Sequence, residues 1–174
     1  MPNIILKIIN NEYTNDDCIP NMIHYIYRTK NCMSRKTEQL PIFCYGVRTF
    51  PPQYTDLITD FRSVQKSVNA AEPYRHLWHL IFSFNCNRIT AEINNWINSI
   101  AGLFGLAYPV CYSYHYDTDN PHCHMVISTI SYLPDTPPLT DTLLSQYLSQ
   151  LKTQYETTDF AFQIDDEGGY LNVR

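Results

Sequence analysis

The chain switches repeatedly between two hydrophobic periods, and each switch marks an element. Residues 3–10, NIILKIIN, are an apolar, β-branched run closed by a polar stretch, which predicts a strand. Residues 15–30 open on acidic side chains, carry Pro20 near their start and end basic, the signature of a helix. A short apolar run over 40–47 predicts a second strand, and 51–69, with prolines at its start, a second helix. Residues 75–85 alternate and are rich in aromatics, as a strand requires, while 90–105 have helical spacing with Thr90 as cap and Gly105 as stop. Residues 107–117 and 122–132 read as two strands joined by the turn DTDNP at 117–121. A helix over 140–156 and a hairpin around DEGG at 166–169 complete the pattern. Strands and helices in alternation, with one tight hairpin, predict an α+β fold: a single domain, 1–174, whose mainly antiparallel sheet carries packed helices.

Composition narrows this. With 174 residues and 44% hydrophobic content the chain can bury one core and is too short for two ordinary domains. Its start lacks the pattern of a secretory leader, and no apolar run approaches the roughly 18 residues of a membrane span. A soluble, cytoplasmic protein without a membrane partner is the expectation. Six cysteines without a CxxC pair fit neither a zinc knuckle nor a disulfide scaffold, and they are expected to be mostly buried thiols. A formal net charge of −5 excludes a protein whose whole surface coats DNA.

The candidate chemistry is concentrated in residues 115–124, HYDTDNPHCH. On a strand, residues two apart share a face, so His122 and His124 point together and Cys123 points away. Cys123, Met125 and Ile127 are then expected in the core beneath. With 107–117 as the antiparallel partner, His115 sits just before the turn, within about 5 Å of the start of the second strand. Three neutral imidazoles converging this way suit one divalent ion with open positions. Asp117 and Asp119 are close enough to hold a histidine's second ring nitrogen. His76 and His79, three apart in an apolar strand pattern, fall on opposite faces and are expected to be structural.

The segment HYDTDNPHCHMVIS resembles the histidine motif of plasmid mobilisation relaxases: His, any residue, Asp, a turn ending in Asn-Pro, His-x-His, then an apolar strand. HLWHLIFSF resembles the strand before it in that family, and NMIHYIYRTK the N-terminal motif that carries the nucleophilic tyrosine. Order and spacing agree, and the resemblance covers about residues 20–130. It implies a site-specific endonuclease of the His-hydrophobic-His superfamily that nicks single-stranded DNA at an origin of transfer through a 5′-phosphotyrosine. Accessory mobilisation proteins are possible partners in such a system. By position, His115, His122 and His124 would hold one divalent ion, manganese or magnesium first, with zinc, nickel and copper also accepted by three imidazoles. Asp117 would be the motif's aspartate, orienting a ligand histidine.

Tyr25 and Tyr27 both fall in the tyrosine motif. Two residues apart on a helix they point about 200° apart, so only one can face an ion. The family pattern selects Tyr25. A tyrosine with an ordinary pKa of about 10 needs a nearby cation or base to attack at neutral pH, and Arg28, Lys30, Arg35 and Lys36 follow as candidate phosphate contacts. Two other readings compete. A single-tyrosine transposase or replication initiator of the same fold would use a later helix, where Tyr147 and Tyr155 lie. A non-catalytic DNA- or protein-binding relative would suit the acidic charge.

Overall fold

A computed structural model describes residues 3–9, 11–28, 40–48, 52–67, 74–155 and 161–165, the last five by their backbone. The elements are β1 (Asn3–Ile8), α1 (Cys18–Tyr27), β2 (Phe43–Tyr45), α2 (Tyr54–Lys66), β3 (Leu77–Phe84), α3 (Ala91–Gly105), β4 (Val110–His115), β5 (His122–Ser128), α4 (Asp141–Tyr155) and β6 (Ala161–Asp165). The strands form one six-stranded sheet in the order β2-β4-β5-β3-β1-β6. Every pairing is antiparallel except that of β1 with β6. The α+β architecture expected from the sequence is the one observed.

Strand alternation sorts the sheet into two faces. Ile4, Leu6 and Ile8 of β1, Trp78, Leu80 and Phe82 of β3, Val110 and Tyr112 of β4, and Cys123, Met125 and Ile127 of β5 pack with α3 and α4 into one apolar core. The other face carries α1 and α2, whose Ile19, Ile23, Ile26, Leu57 and Phe61 meet Leu77, Cys111 and Val126. Cys123 is therefore sealed in the core opposite the histidines, as its strand parity predicts. Cys18 and Cys111 are buried too, whereas Cys44 and Cys86 are half-buried.

Several boundaries differ from the sequence expectation, for local reasons. The first helix stops at Tyr27, because Arg28 adopts a left-handed φ of 54° and its side chain is tied to the hairpin. Helix α2 begins at Tyr54, where the Gln53 backbone N–H donates to the Asp56 carboxylate at 3.0 Å. In α3 the Thr90 hydroxyl accepts from the Ile93 N–H at 3.3 Å, so the cap is as expected. Gly105 does not stop this helix through a left-handed turn. It ends α3 with Leu106 still right-handed, and a Cβ there would collide with the Tyr45 side chain. Strand β5 ends at Ser128, short of 132. The Ser128 hydroxyl takes the Ile130 N–H at 3.2 Å, and Thr129 donates to the Arg75 carbonyl at 2.6 Å, diverting the chain from the ladder. The DEGG hairpin lies outside the described residues, and the strand before it, β6, runs parallel to β1.

Candidate active site

Strands β4 and β5 pair with His115 directly opposite His122 and Ser113 opposite His124. The three imidazoles thus stand on one face of the hairpin, with ring centroids 4.4 to 5.4 Å apart. One ring nitrogen from each falls within 4.8 Å of the other two. Helix α1 lies against this face and holds the second nitrogen of His115, while the turn and β3 hold those of His122 and His124.

The outward nitrogens are held, but not by carboxylates. His115 Nε2 lies 2.7 Å from the Ile26 carbonyl; a carbonyl only accepts, so this nitrogen carries the proton and the lone pair is on Nδ1. His122 Nδ1 lies 3.3 Å from both the Asn120 carbonyl and the Thr118 hydroxyl, which leaves Nε2 for the site. His124 Nδ1 is 2.8 Å from His79 Nε2, and its own Nε2 is buried with no hydrogen-bond partner. An unpartnered buried imidazole nitrogen facing two other imidazoles is what a metal ligand looks like in protein atoms alone. Three neutral nitrogens are a donor set that divalent manganese, zinc, nickel or copper accepts.

Burial favours the neutral form of His79, His115 and His124. Burial pushes His124 down to about 2, with the neighbouring His115, His79 and His122 adding to the effect. Burial likewise lowers His79 to about 4, and His115 lies below its ordinary value. Neutral imidazole is the form that binds metal.

His79 departs from its expected structural role. It stands on β3, diagonal to His124, and stacks on that ring at 5.1 Å while hydrogen-bonding it. Its Nδ1 meets the Tyr13 hydroxyl at 3.2 Å. His76 precedes β3, outside the strand expected to hold it, and stacks on Tyr74.

Asp117 also departs from expectation. It is an exposed residue that pairs with Arg28 at 2.7 Å, and Arg28 in turn reaches His115 Nδ1 at 3.1 Å. The contact between aspartate and histidine therefore runs through the guanidinium. Partial burial opposes its ionisation, but the Arg28 hydrogen bond, a backbone hydrogen bond and the charges of Arg28 and His115 together hold the carboxyl below its usual range. Lys30, Arg35 and Lys36 lie outside the described residues.

Helix α1 separates the two tyrosines. Tyr25 is 55% exposed, and its ring lies 5.3 Å from that of His124, 6.2 Å from His79 and 6.3 Å from His115. Tyr27 is fully buried on the opposite side of the helix, its hydroxyl near the carbonyls of Phe43 and Tyr112, each at 3.1 Å. The sequence carried this signal: Ile19, Met22, Ile23, Ile26 and Tyr27 are one apolar stripe at helical spacing, and Tyr25 is off it. Tyr147, on α4, packs against Phe104 on the far face of the sheet from the histidines.

Among the described residues no helix is long and apolar enough to cross a membrane. No curated protein matches the chain. The sequence profile of the relaxase family's MobA/VirD2-like nuclease domain matches residues 25–135, which span Tyr25, the histidine hairpin and the strands between them. The match extends over more than half of the chain, and the protein belongs to this relaxase family.

Proposed function

We propose that this protein nicks single-stranded DNA by transesterification at an origin of transfer, with Tyr25 as nucleophile and His115, His122 and His124 as the ligands of a divalent ion. The phenolic oxygen of Tyr25 attacks the scissile phosphorus. A phosphorus–oxygen bond to the tyrosine forms as the bond to the 3′ oxygen breaks, leaving a 5′-phosphotyrosine and a free 3′-hydroxyl. The tyrosine gives up its proton, and the 3′ oxygen takes one. The bound ion would supply polarisation of the phosphate and stabilisation of charge in the transition state. With an ion on His124 Nε2, His79 Nε2 would accept the proton of His124 Nδ1, and Arg28, three residues after Tyr25 and anchored by Asp117, offers N–H donors to a phosphate.

The observation that carries this reading is the position of Tyr25: half-exposed, with its ring centroid 5.3 to 6.3 Å from those of His124, His79 and His115. The transposase-like alternative would need Tyr147 or Tyr155 on α4, and Tyr147 packs in the other layer. The test is a labelled single strand from an origin of transfer, incubated with protein and manganese and run under denaturing conditions. A covalent adduct with the new 5′ end created at the cut is expected, and Tyr25→Phe should abolish it while metal content and melting temperature stay unchanged. An adduct that survives in Tyr25→Phe would refute the assignment.

A further inference from the structure

The segment between β1 and α1, residues 11–17, contains no helix or strand, yet it is firmly held. Arg75 donates to the Asn11 carbonyl at 2.5 Å and Arg62 to the Asp16 carbonyl at 3.2 Å. The His76 backbone N–H and the Cys18 thiol both donate to the Tyr13 carbonyl, at 2.8 and 3.4 Å. Tyr13 itself stands at φ 46°, a left-handed conformation that costs energy for an aromatic residue. The strain brings the Tyr13 hydroxyl to His79, and Asn11 Nδ2 donates to that hydroxyl at 3.3 Å.

This held segment and the first two turns of α1 border an open cavity of about 410 Å³, lined mainly by Asn11, Tyr13, Asn15, Asn21, Met22 and Tyr25, with Cys18 beside them. Its size lies in the range of small-molecule sites, about 300–1,000 Å³. No lining residue is charged, which does not suit a phosphate or a metal ion. Three amides do suit a base edge, because each sets a donor beside an acceptor, and the tyrosine and methionine side chains offer surface to a flat ring. Tyr25 belongs both to this wall and to the histidine cluster. A strand whose phosphate meets Tyr25 therefore brings an adjoining nucleoside to the cavity mouth.

We propose that the cavity seats the nucleobase next to the phosphate that Tyr25 attacks, and that Asn11, Asn15 and Asn21 determine which base is accepted. The proposal rests on the nicking reading above and adds a specificity site to it. The 11–17 segment is pinned before any DNA arrives, so little ordering cost falls on binding. Through Tyr13 and His79 the seated base would also adjoin the chain of contacts that ends on His124.

The experiment is a binding selection from a single-stranded origin-of-transfer DNA randomised on both sides of its nick position, with the manganese-loaded protein, followed by sequencing of the bound fraction. The parent should enrich one base at a single position, by roughly ten-fold to a hundred-fold over the others, the discrimination expected of a well-made amide–base contact. Asn21→Ala, an exposed helix position where alanine favours folding, should flatten the preference at that position and leave the rest of the profile alone. Asn11→Ala should do the same. No positional preference in the parent, or an unchanged preference in both variants, overturns the proposal. Preference is read on binding, so it is measured even if no covalent adduct forms; a missing adduct refutes the nicking reading and not the base site.

Discussion

The two faces of the sheet are built from the same strands and solve different problems. On one face, Trp78, Leu80, Phe82, Met125 and Ile127 meet α3 and α4 in an almost wholly apolar layer. On the other, His79, Ser113, His115 and His124 are buried although polar. One residue of register separates the two, since Cys123 lies between His122 and His124 and points the opposite way. The apolar face supplies the stability that allows the other to keep neutral imidazoles, an unpartnered His124 nitrogen and a strained Tyr13. The exposed tyrosine beside that group, Tyr25, is consistent with stability and chemistry being divided between layers.

The sharpest way to break this division is to exchange the faces' tolerances. Cys123→Asp puts a carboxylate among Phe82, Met125 and Tyr114 with no cation to meet it, and should unfold the protein, a loss of several kcal/mol seen in a thermal melt. His122→Ala, one residue away on the half-exposed side, should melt within a few degrees of the parent yet lose its bound manganese or zinc by metal analysis. If the two variants melt alike, the division is wrong.

A smaller effect tests the outer contacts of the cluster. His79→Phe keeps the ring and the burial but removes both hydrogen bonds, to His124 and to Tyr13. Losing the group that orients a metal ligand costs about 10–100-fold in metal affinity, and calorimetric titration with manganese or zinc should show it. Tyr13→Phe, one step further out, should cost less. Equal affinity in parent and His79→Phe would make His79 the plain core residue that its apolar strand pattern suggests.

Much of this was legible in the sequence, and what was not has a common cause. Strand and helix periods, the hairpin and the shared face of His122 and His124 follow from alternation over a few residues. The role of His79 depends on β3 pairing with β5 in a register that places Ile81 opposite His124, and no local pattern specifies that. The Arg28–Asp117 pair joins residues far apart in sequence through a left-handed helix end, so Asp117 looked like a histidine's partner when only the hairpin was considered. The expected helix and strand ends overrun where the Arg28 side chain is drawn to the distant hairpin and the Ser128 hydroxyl takes a nearby N–H, a competition that periodicity cannot register.

Acid should also tell the faces apart. On the apolar face the titrating groups include Cys123, Tyr112 and Tyr114, all shifted upward by burial and silent below neutrality. On the other face His79 is lowered to about 4 and His124 to about 2. In the unfolded chain both protonate near the ordinary histidine value of about 6.5. Below that pH the unfolded state binds protons that the folded state refuses, so stability falls as pH drops from about 6.5 toward 4. The metal-free protein should melt lower at pH 5 than at pH 7, and His79→Phe should show a shallower decline. A flat melting profile across this range would mean that the rings are protonated, or that the cluster opens, in the folded state.

The smallest expected effect concerns Arg28, and it has a sign that separates two roles. Its guanidinium donates to the one lone pair that His115 has to offer, because the other ring nitrogen is committed to the Ile26 carbonyl. Arginine and a metal ion therefore compete for His115 Nδ1, and both are positive. If the charge near the site mattered only as a fixed part of the fold, Arg28→Ala would weaken metal binding through loss of the Asp117 bridge. Competition for the lone pair instead predicts that Arg28→Ala binds manganese modestly more tightly, by a few-fold, while its affinity for single-stranded DNA falls as a phosphate contact is lost. Asp117→Asn should loosen the arginine without removing it, shifting metal affinity in the same direction and by less. Titration of the three proteins with manganese, and of the loaded forms with a labelled single strand, measures both quantities; tighter DNA binding in Arg28→Ala would exclude the guanidinium from phosphate contact.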